Sequence, residues 1–147
     1  MKNMTQILCL LLCLWGTSAL AWDRPAMAKY GAVYTGQEFL RVDVAHNQAD
    51  DHAILKISGI NHKLDGQMFW AEVRYQAGHP ERVVYVFSES DGERPEFYVD
   101  NGVGRLMIPN WRGQARVELK LYYDHKLSAE TPPEQLATDY ENQLKQK

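Results

Sequence analysis

The 147-residue chain contains little cysteine, and both of its cysteines lie in the first 21 residues. Residues 1–21 have the features of an export signal: a basic start, an apolar run and a small-x-small site ending at Ala21. We expect cleavage after Ala21, which leaves a cysteine-free mature chain over residues 22–147. That chain would have no disulfide, no thiolate metal site and no cysteine nucleophile.

The chain also lacks a large excess of either charge and a long apolar segment. Its formal net charge is −3 with histidine neutral. Since nucleic-acid binding requires a basic stripe, we expect no nucleic-acid partner. The apolar run near the start is shorter than the roughly 20 residues that a membrane-spanning helix needs. We therefore expect no stable membrane insertion after signal cleavage. The export signal predicts a periplasmic or secreted location. We expect the remaining residues, 22–147, to form one β-rich domain.

What the chain does contain is alternation of apolar and polar residues, which is clearest over residues 114–123, QARVELKLYY. A period of two is the repeat of a pleated strand. One face of this predicted strand would be apolar, and the other would be mostly charged. The apolar face holds Ala115, Val117, Leu119, Leu121 and Tyr123.

The same alternation predicts most of the other strands. They fall at residues 38–45, 53–58, 67–76, 82–88, 96–99 and 104–108, with a possible short edge strand at 32–35. Turn residues separate them, and Asn101-Gly102 gives the strongest hairpin signal. Val84 and Val86 make the segment 82–88 apolar on both faces, which predicts a central strand covered on both sides.

The period changes near the C-terminus. Thr131 and Glu134 have the spacing of a capping box with proline inside it, and a stripe of apolar residues follows every four positions. This predicts a helix over about residues 132–146. The fold class is then mainly β: an antiparallel β-sandwich or partly open barrel of about seven strands with one C-terminal α-helix packed on the sheet. A single sheet with one covering helix is the alternative.

The sequence offers little for catalysis. It contains no G-x-S-x-G or S-x-x-K pattern in the predicted mature chain. His46, Asp50 and His52 are the best metal candidates, but their spacing matches no metal signature, and a solvated loop is favoured. Glu72 and Glu118 could form a catalytic carboxylate pair, although surface ion pairs are favoured. We predict no catalytic residue, no metal and no cofactor.

Aromatic residues on polar faces or in loops are the main candidates for contact with a ligand or partner. They are Trp70, Tyr98, Trp111 and Tyr122. Tryptophan and tyrosine favour such patches because they combine apolar area with a polar group. Trp70 has two interpretations. Either the C-terminal helix covers it together with Val84 and Val86, or it forms an open platform with Tyr122.

These patterns favour an exported, non-enzymatic binding module that acts through protein or glycan contacts in the bacterial envelope. Inhibition of a cell-wall hydrolase is one concrete form of this hypothesis. A small hydrolase that uses residues 46–52 or a carboxylate pair is one alternative. A structural subunit of an envelope assembly, in which an uncovered sheet edge pairs with a neighbour, is another.

Overall fold

The computed structural model describes residues 22–88 and 94–147, and eight strands in this part form one closed antiparallel barrel. The strands follow one another around the ring in chain order, and β8 closes the ring by pairing with β1. They are β1 (Ala32–Thr35), β2 (Arg41–His46), β3 (His52–Ser58), β4 (Met68–Gln76), β5 (His79–Phe87), β6 (Glu96–Asp100), β7 (Val103–Trp111) and β8 (Gln114–Tyr123). The predicted signal peptide and the predicted Asp91-Gly92 turn lie outside the described residues.

The prediction of a mainly β fold with a C-terminal helix is confirmed, and its finer description needs correction. The sheet is a closed barrel of eight strands, not a sandwich or a partly open barrel of about seven. The short segment β1 makes the difference, because it pairs with β2 on one edge and with β8 on the other. Alternation indicates which residues form strands, but closure depends on strand twist and stagger.

The inward-facing side chains of the strands fill the barrel. An eight-stranded barrel has an interior just wide enough for side chains to occupy. In β8 the predicted alternation holds in the middle of the strand: Leu121 is fully buried, and Val117 and Leu119 are half-buried. Ala115 and Tyr123, at the two ends of the same face, are exposed. On this face of β8, only Leu121 is therefore fully covered by the barrel interior.

Two tight turns join the last three strands. Asn101 and Gly102 have φ values of 49° and 77°, which is the pair of positive φ angles that the sequence predicts. A second such pair occurs at Arg112 and Gly113, with φ values of 53° and 73°. The predicted strand ends at residue 108, whereas the structure continues β7 to Trp111 before this turn.

Two helices follow the barrel: α1 (His125–Glu130), which the sequence did not predict, and α2 (Pro133–Lys145). The predicted capping box is wrong. Pro132 is the residue before α2 and makes no side-chain cap, while Thr131 ends α1 and donates its hydroxyl to the Leu127 carbonyl at 2.8 Å. The residue before a proline is disfavoured in the helical region, so Pro133 keeps Pro132 extended. Within the described residues, no helix combines the length and apolarity needed to cross a membrane.

Helix α2 packs on the outer face of β2, β3 and β4. It buries Leu136, Ala137 and Tyr140 in a second apolar cluster, outside the barrel. The Gln143 side chain also bonds the Met68 N–H at 2.9 Å and the Met68 carbonyl at 2.8 Å. The helix therefore docks through both apolar and main-chain contacts.

The predicted docking site of α2 is correct for one residue and wrong for two. Trp70 packs against the helix: its ring is stacked with that of Tyr140 at 6.4 Å and meets Trp22 edge-on at 5.6 Å. Val84 and Val86 lie on the outer face of β5, beyond the strands that α2 contacts, and stay half-exposed. Because α2 lies over β2, β3 and β4, the outer apolar face of β5 remains towards solvent.

Candidate functional site

The wall of the barrel is incomplete between β1 and β8. The register of these strands pairs Tyr34 with Tyr123 and Thr35 with Tyr122. After Thr35 the chain turns away through a short 3₁₀ turn, Gln37–Phe39, and the Gly36 N–H bonds the Leu40 carbonyl at 2.9 Å. Among the described residues, β8 is consequently paired only with β7 from residue 121 back to residue 116.

The hydrogen-bond pattern indicates which main-chain groups of β8 face this gap. The Asp124 N–H donates to the Val33 carbonyl at 2.8 Å, so residue 124 points towards β1. Because antiparallel strands bond through alternate residues, Lys120, Glu118 and Arg116 direct their N–H and C=O groups to the same side. A Cβ atom on Gly36 would lie 2.9 Å from the Lys120 oxygen, as this orientation requires. Beyond Gly36, β1 is too short to bond the remaining groups.

A crevice of about 1070 Å³ occupies this gap. Ligand sites typically enclose about 300–1,000 Å³, so the crevice is large enough for a sizeable ligand. Its apolar floor comprises Leu40, Ile60, Trp111 and Leu119. Its charged rim comprises Glu38, Asp65, Arg112, Glu118 and Lys120. The apolar floor explains why Leu119 is only half-buried in the barrel.

The far wall of the crevice contains an unusual backbone. Glu38 and Phe39 have φ values of 54° and 69°, in the left-handed region that L-residues rarely adopt. Their backbone lies against Gly59, where a Cβ atom would be 2.0 Å from the Phe39 oxygen. This arrangement leaves the Phe39 side chain 94% exposed beside the crevice. Strained backbone of this kind concentrates at functional sites.

The tip of the β7–β8 hairpin is tied to both neighbouring loops. The Trp111 indole N–H donates to the Asn61 carbonyl at 3.0 Å, and the ring is buried. The Arg112 guanidinium lies 4.2 Å from the centre of that ring and 2.7 Å from a Glu38 carboxylate oxygen. These contacts fix one end of the crevice.

Lys120 is the cation on the rim that makes no ion pair with a described residue. By contrast, Arg112 pairs with Glu38. Glu118 accepts a hydrogen bond from Arg105 at 2.6 Å, and this bond raises the pKa of the Arg105 guanidinium. The Lys120 ammonium is therefore available to a negatively charged group in the crevice.

The four aromatic candidates from the sequence do not form one site. Trp111 and Tyr122 both line the crevice. Tyr98 lies on the outer face of β6, with the Arg82 guanidinium 4.5 Å from its ring centre. Trp70 lies on β4, four strands from β8 in a ring of eight, so the hypothesis of a Trp70–Tyr122 platform is wrong. Sequence reasoning did not identify Phe39 and Glu38 as site residues. The signal that could have indicated them is glycine at positions 36 and 59, which lie next to this segment.

The two histidines among the metal candidates lie on opposite faces of the barrel wall. His46 pairs with Ala53 across β2 and β3, so His52, one residue before Ala53, faces the opposite side of the wall. His52 stacks on the outer face against Trp70, with 5.1 Å between ring centres. In the part of the chain that the structure describes, no three His, Cys, Asp or Glu side chains could hold a metal ion together.

His46 belongs instead to a hydrogen-bonded network at one end of the barrel. One ring nitrogen contacts the Asp50 carboxylate, and the other lies 2.9 Å from the Tyr85 hydroxyl. Tyr75 donates to Asp50 at 2.5 Å, which lowers the pKa of Asp50. Burial, followed by the bond to Asp50, raises the pKa of Tyr75 to about 12. Burial also raises the pKa of Tyr85. Both nitrogens of His46 are engaged.

The hypothesis of a paired carboxylate site is wrong. Glu72 and Glu118 lie on strands four apart in the ring, and each carboxylate is bound by an arginine. Arg74 bonds both oxygens of Glu72, at 3.0 Å and 2.9 Å, and lowers the pKa of Glu72. These are surface ion pairs of the kind that the alternation predicts.

Comparison of the chain with models of protein families, with curated proteins and with solved structures finds no match. The crevice is therefore the feature from which function can be inferred. Among the described residues, it combines main-chain groups that no strand pairs with, an apolar floor and a lysine that makes no ion pair.

Proposed function

We propose that the protein is a non-enzymatic binding module of the bacterial envelope, periplasmic or secreted, that holds part of a protein partner in the crevice. One observation carries this proposal: the barrel wall is open where β1 ends, and the opening has an apolar floor beside main-chain groups of β8 that no described strand pairs with. Inhibition of a cell-wall hydrolase is one form that such binding could take.

A protein partner fits the crevice better than a glycan does. Glycan sites use the open faces of aromatic rings, but the Trp111 ring is buried with its face under the Arg112 guanidinium, which leaves Tyr122 as the exposed aromatic ring among the residues that line the crevice. Trp70 is occupied by contacts with Tyr140 and His52. Main-chain donors and acceptors over an apolar floor are the groups that a polypeptide recognises.

The arrangement of the other candidates supports a non-enzymatic role. His46 has its ring nitrogens in contact with Asp50 and Tyr85, and it is not among the residues that line the crevice. Glu72 and Glu118 are held on opposite sides of the barrel. A structural subunit of an envelope assembly would bind its neighbour through the same edge of β8. The identity of the crosslinked partner distinguishes this alternative from the proposed function.

Site-specific photocrosslinking tests the proposal. Phe39 is 94% exposed and lies between Glu38 and Leu40, which line the crevice, whereas Tyr30, at 73%, lies elsewhere on the surface, so each tolerates p-benzoylphenylalanine in its place. We expect irradiation in cell envelopes to give a discrete protein adduct from position 39 and none of the same mass from position 30. Mass spectrometry of the adduct would separate a foreign partner from a second copy of this chain.

The charge on the rim supplies a matched control. Lys120→Glu should reduce the adduct at position 39, because it removes the uncommitted cation beside the crevice. Lys126→Glu makes the same change of net charge on α1 and should leave the yield unchanged. Equal adducts from positions 39 and 30, or no adduct from position 39, would contradict the proposal.

A further inference from the structure

The open edge of β8 has the chemistry to accept one more strand. Resting on the proposed function, we propose that the partner enters the crevice as an extended polypeptide segment that adds to β8 beside residues 116–120. The segment places an acidic side chain at Lys120 and an apolar side chain beside it, over the crevice floor.

The first step concerns the main chain. Glu118 and Arg116 direct their N–H and C=O groups into the gap, and among the described residues no strand pairs with them there. Unpaired groups of this kind are the template for strand addition, in which main-chain hydrogen bonds supply affinity without regard to sequence. At about 3.4 Å per residue, five residues of β8 would pair with a segment roughly 17 Å long.

The second step concerns the apolar floor. Side chains of paired strands alternate together between the two faces of a sheet. A ligand side chain opposite Leu119 would therefore point to the same side as Leu119, towards Leu40 and Ile60. That position requires an apolar side chain, because the crevice floor beneath it consists of apolar side chains.

The third step concerns charge. The ligand residue opposite Lys120 lies next to the apolar one, and its side chain points outward with that of Lys120. Lys120 makes no ion pair with a described residue, whereas Glu118 is already bound by Arg105 at 2.6 Å. An acidic side chain opposite Lys120 is the complement of this arrangement.

The walls of the crevice favour a single strand over a second copy of this chain. One wall is β8, and the other contains Glu38, Gly59 and Ile60. The β8 strand of a second copy carries β7 on its other edge and would meet that far wall. An isolated extended segment has both edges free and meets no such obstacle.

Selection from a phage library of random heptapeptides on the immobilised mature protein provides the probe. We expect enriched peptides with an acidic residue adjacent to an apolar one. The decisive comparison uses Glu118→Pro and Glu118→Ala, both of which remove the ion pair with Arg105. Only proline also removes the N–H that faces the gap, and it leaves the bonds to β7 in place. Enriched peptides should bind Glu118→Pro about tenfold more weakly than Glu118→Ala.

A second pair of variants keeps the proposal testable if circular dichroism shows that Glu118→Pro is unfolded. Lys120→Glu should weaken binding of the acidic peptides at least about tenfold, since it replaces attraction by repulsion, and Lys126→Glu should not. Equal binding to Lys120→Glu and Lys126→Glu would overturn the assignment of the acidic position.

The outcomes separate this inference from the proposed function. If envelope crosslinking at Phe39 succeeds but no peptide is enriched, or if peptides bind the two Glu118 variants equally, strand addition is wrong and the binding module stands. If crosslinking fails as well, both are wrong. A dimer of this chain in sedimentation that Glu118→Pro abolishes would overturn the foreign-segment inference.

Discussion

Replacing Gly59 by alanine tests the contact that shapes the far wall of the crevice. Gly59 has a φ of 78°, and a Cβ atom there would lie 2.0 Å from the Phe39 oxygen and 2.6 Å from the Phe39 carbonyl carbon. Both are backbone atoms, which cannot rotate away as a flexible side chain can. The Gly59→Ala variant must therefore move the segment that carries Glu38 and Phe39, or lose stability.

The size of the effect can be estimated from two contributions. An L-residue in the left-handed region costs roughly 1–2 kcal/mol. Forcing extra atoms into a packed site costs about 1–3 kcal/mol more. Gly66 is a matched control, because its φ is 72° and a Cβ atom there meets nothing within 4 Å. Gly66→Ala should show only the first contribution, about 1–2 kcal/mol.

Urea unfolding of both variants, with the midpoint and slope compared, measures this difference. We expect Gly59→Ala to lose about 1–3 kcal/mol more than Gly66→Ala, with an unchanged slope. Because a displaced wall would also move Phe39, crosslinking from position 39 should fall in the Gly59→Ala background. Equal losses of stability in the two variants would refute the packing of Phe39 on Gly59.

Three further predictions concern the helices and the polar network. Tyr140→Ala should lower the free energy of unfolding by about 3–5 kcal/mol, since this side chain of α2 is buried against the barrel; a loss below about 1 kcal/mol in urea unfolding would contradict the docking of α2. Ser128→Ala should cost about 1–3 kcal/mol, because the buried Val33 N–H loses its acceptor at 2.8 Å, and thermal unfolding would show it. Tyr75→Phe should raise the pKa of Asp50, measured by carboxyl NMR titration. The folded-state pKa of Asp50 is below its ordinary value of 3.8, so its stabilising effect is present at neutral pH and lost as the pH falls through the folded-state pKa. Stability should therefore fall less on acidification in Tyr75→Phe, and an identical acid profile would contradict the network.

The strands were predictable because each carries its own local signal. Alternation predicted seven of the eight strands to within a few residues, and β1 as a possible short strand. Closure was not predictable in this way, because it depends on pairing between Thr35 and Tyr122, which lie far apart in the chain. No local pattern at either residue indicates the other.

The C-terminal helix was likewise predictable only in part. Its apolar stripe through Leu136 and Tyr140 predicted both the helix and the face that it buries. Its first residue was predicted wrongly, because the capping-box pattern placed Thr131 at the N-cap. Pro133 instead holds Pro132 extended, with φ −68° and ψ 129°, and moves the start of the helix.

The site was only partly predictable. Trp111 and Tyr122 were identified as contact candidates from their surplus of aromatic surface, and both line the crevice. Lys120 lies on the mostly charged face that the alternation predicts for β8, but its lack of a described ion-pair partner depends on where β1 ends and has no local signal. Phe39 gave no periodic signal, because its exposure follows from left-handed backbone packed on Gly59.

Amide hydrogen exchange along β8 tests the open wall most directly, and it requires no partner. The N–H groups of Val117 and Leu119 point to β7 and should exchange slowly, whereas that of Glu118 points into the gap. The structure predicts that the Glu118 amide, measured by NMR in the free protein, exchanges much faster than both of its neighbours. Protection of Glu118 equal to that of Val117 and Leu119 would show that the edge is covered and would contradict the account.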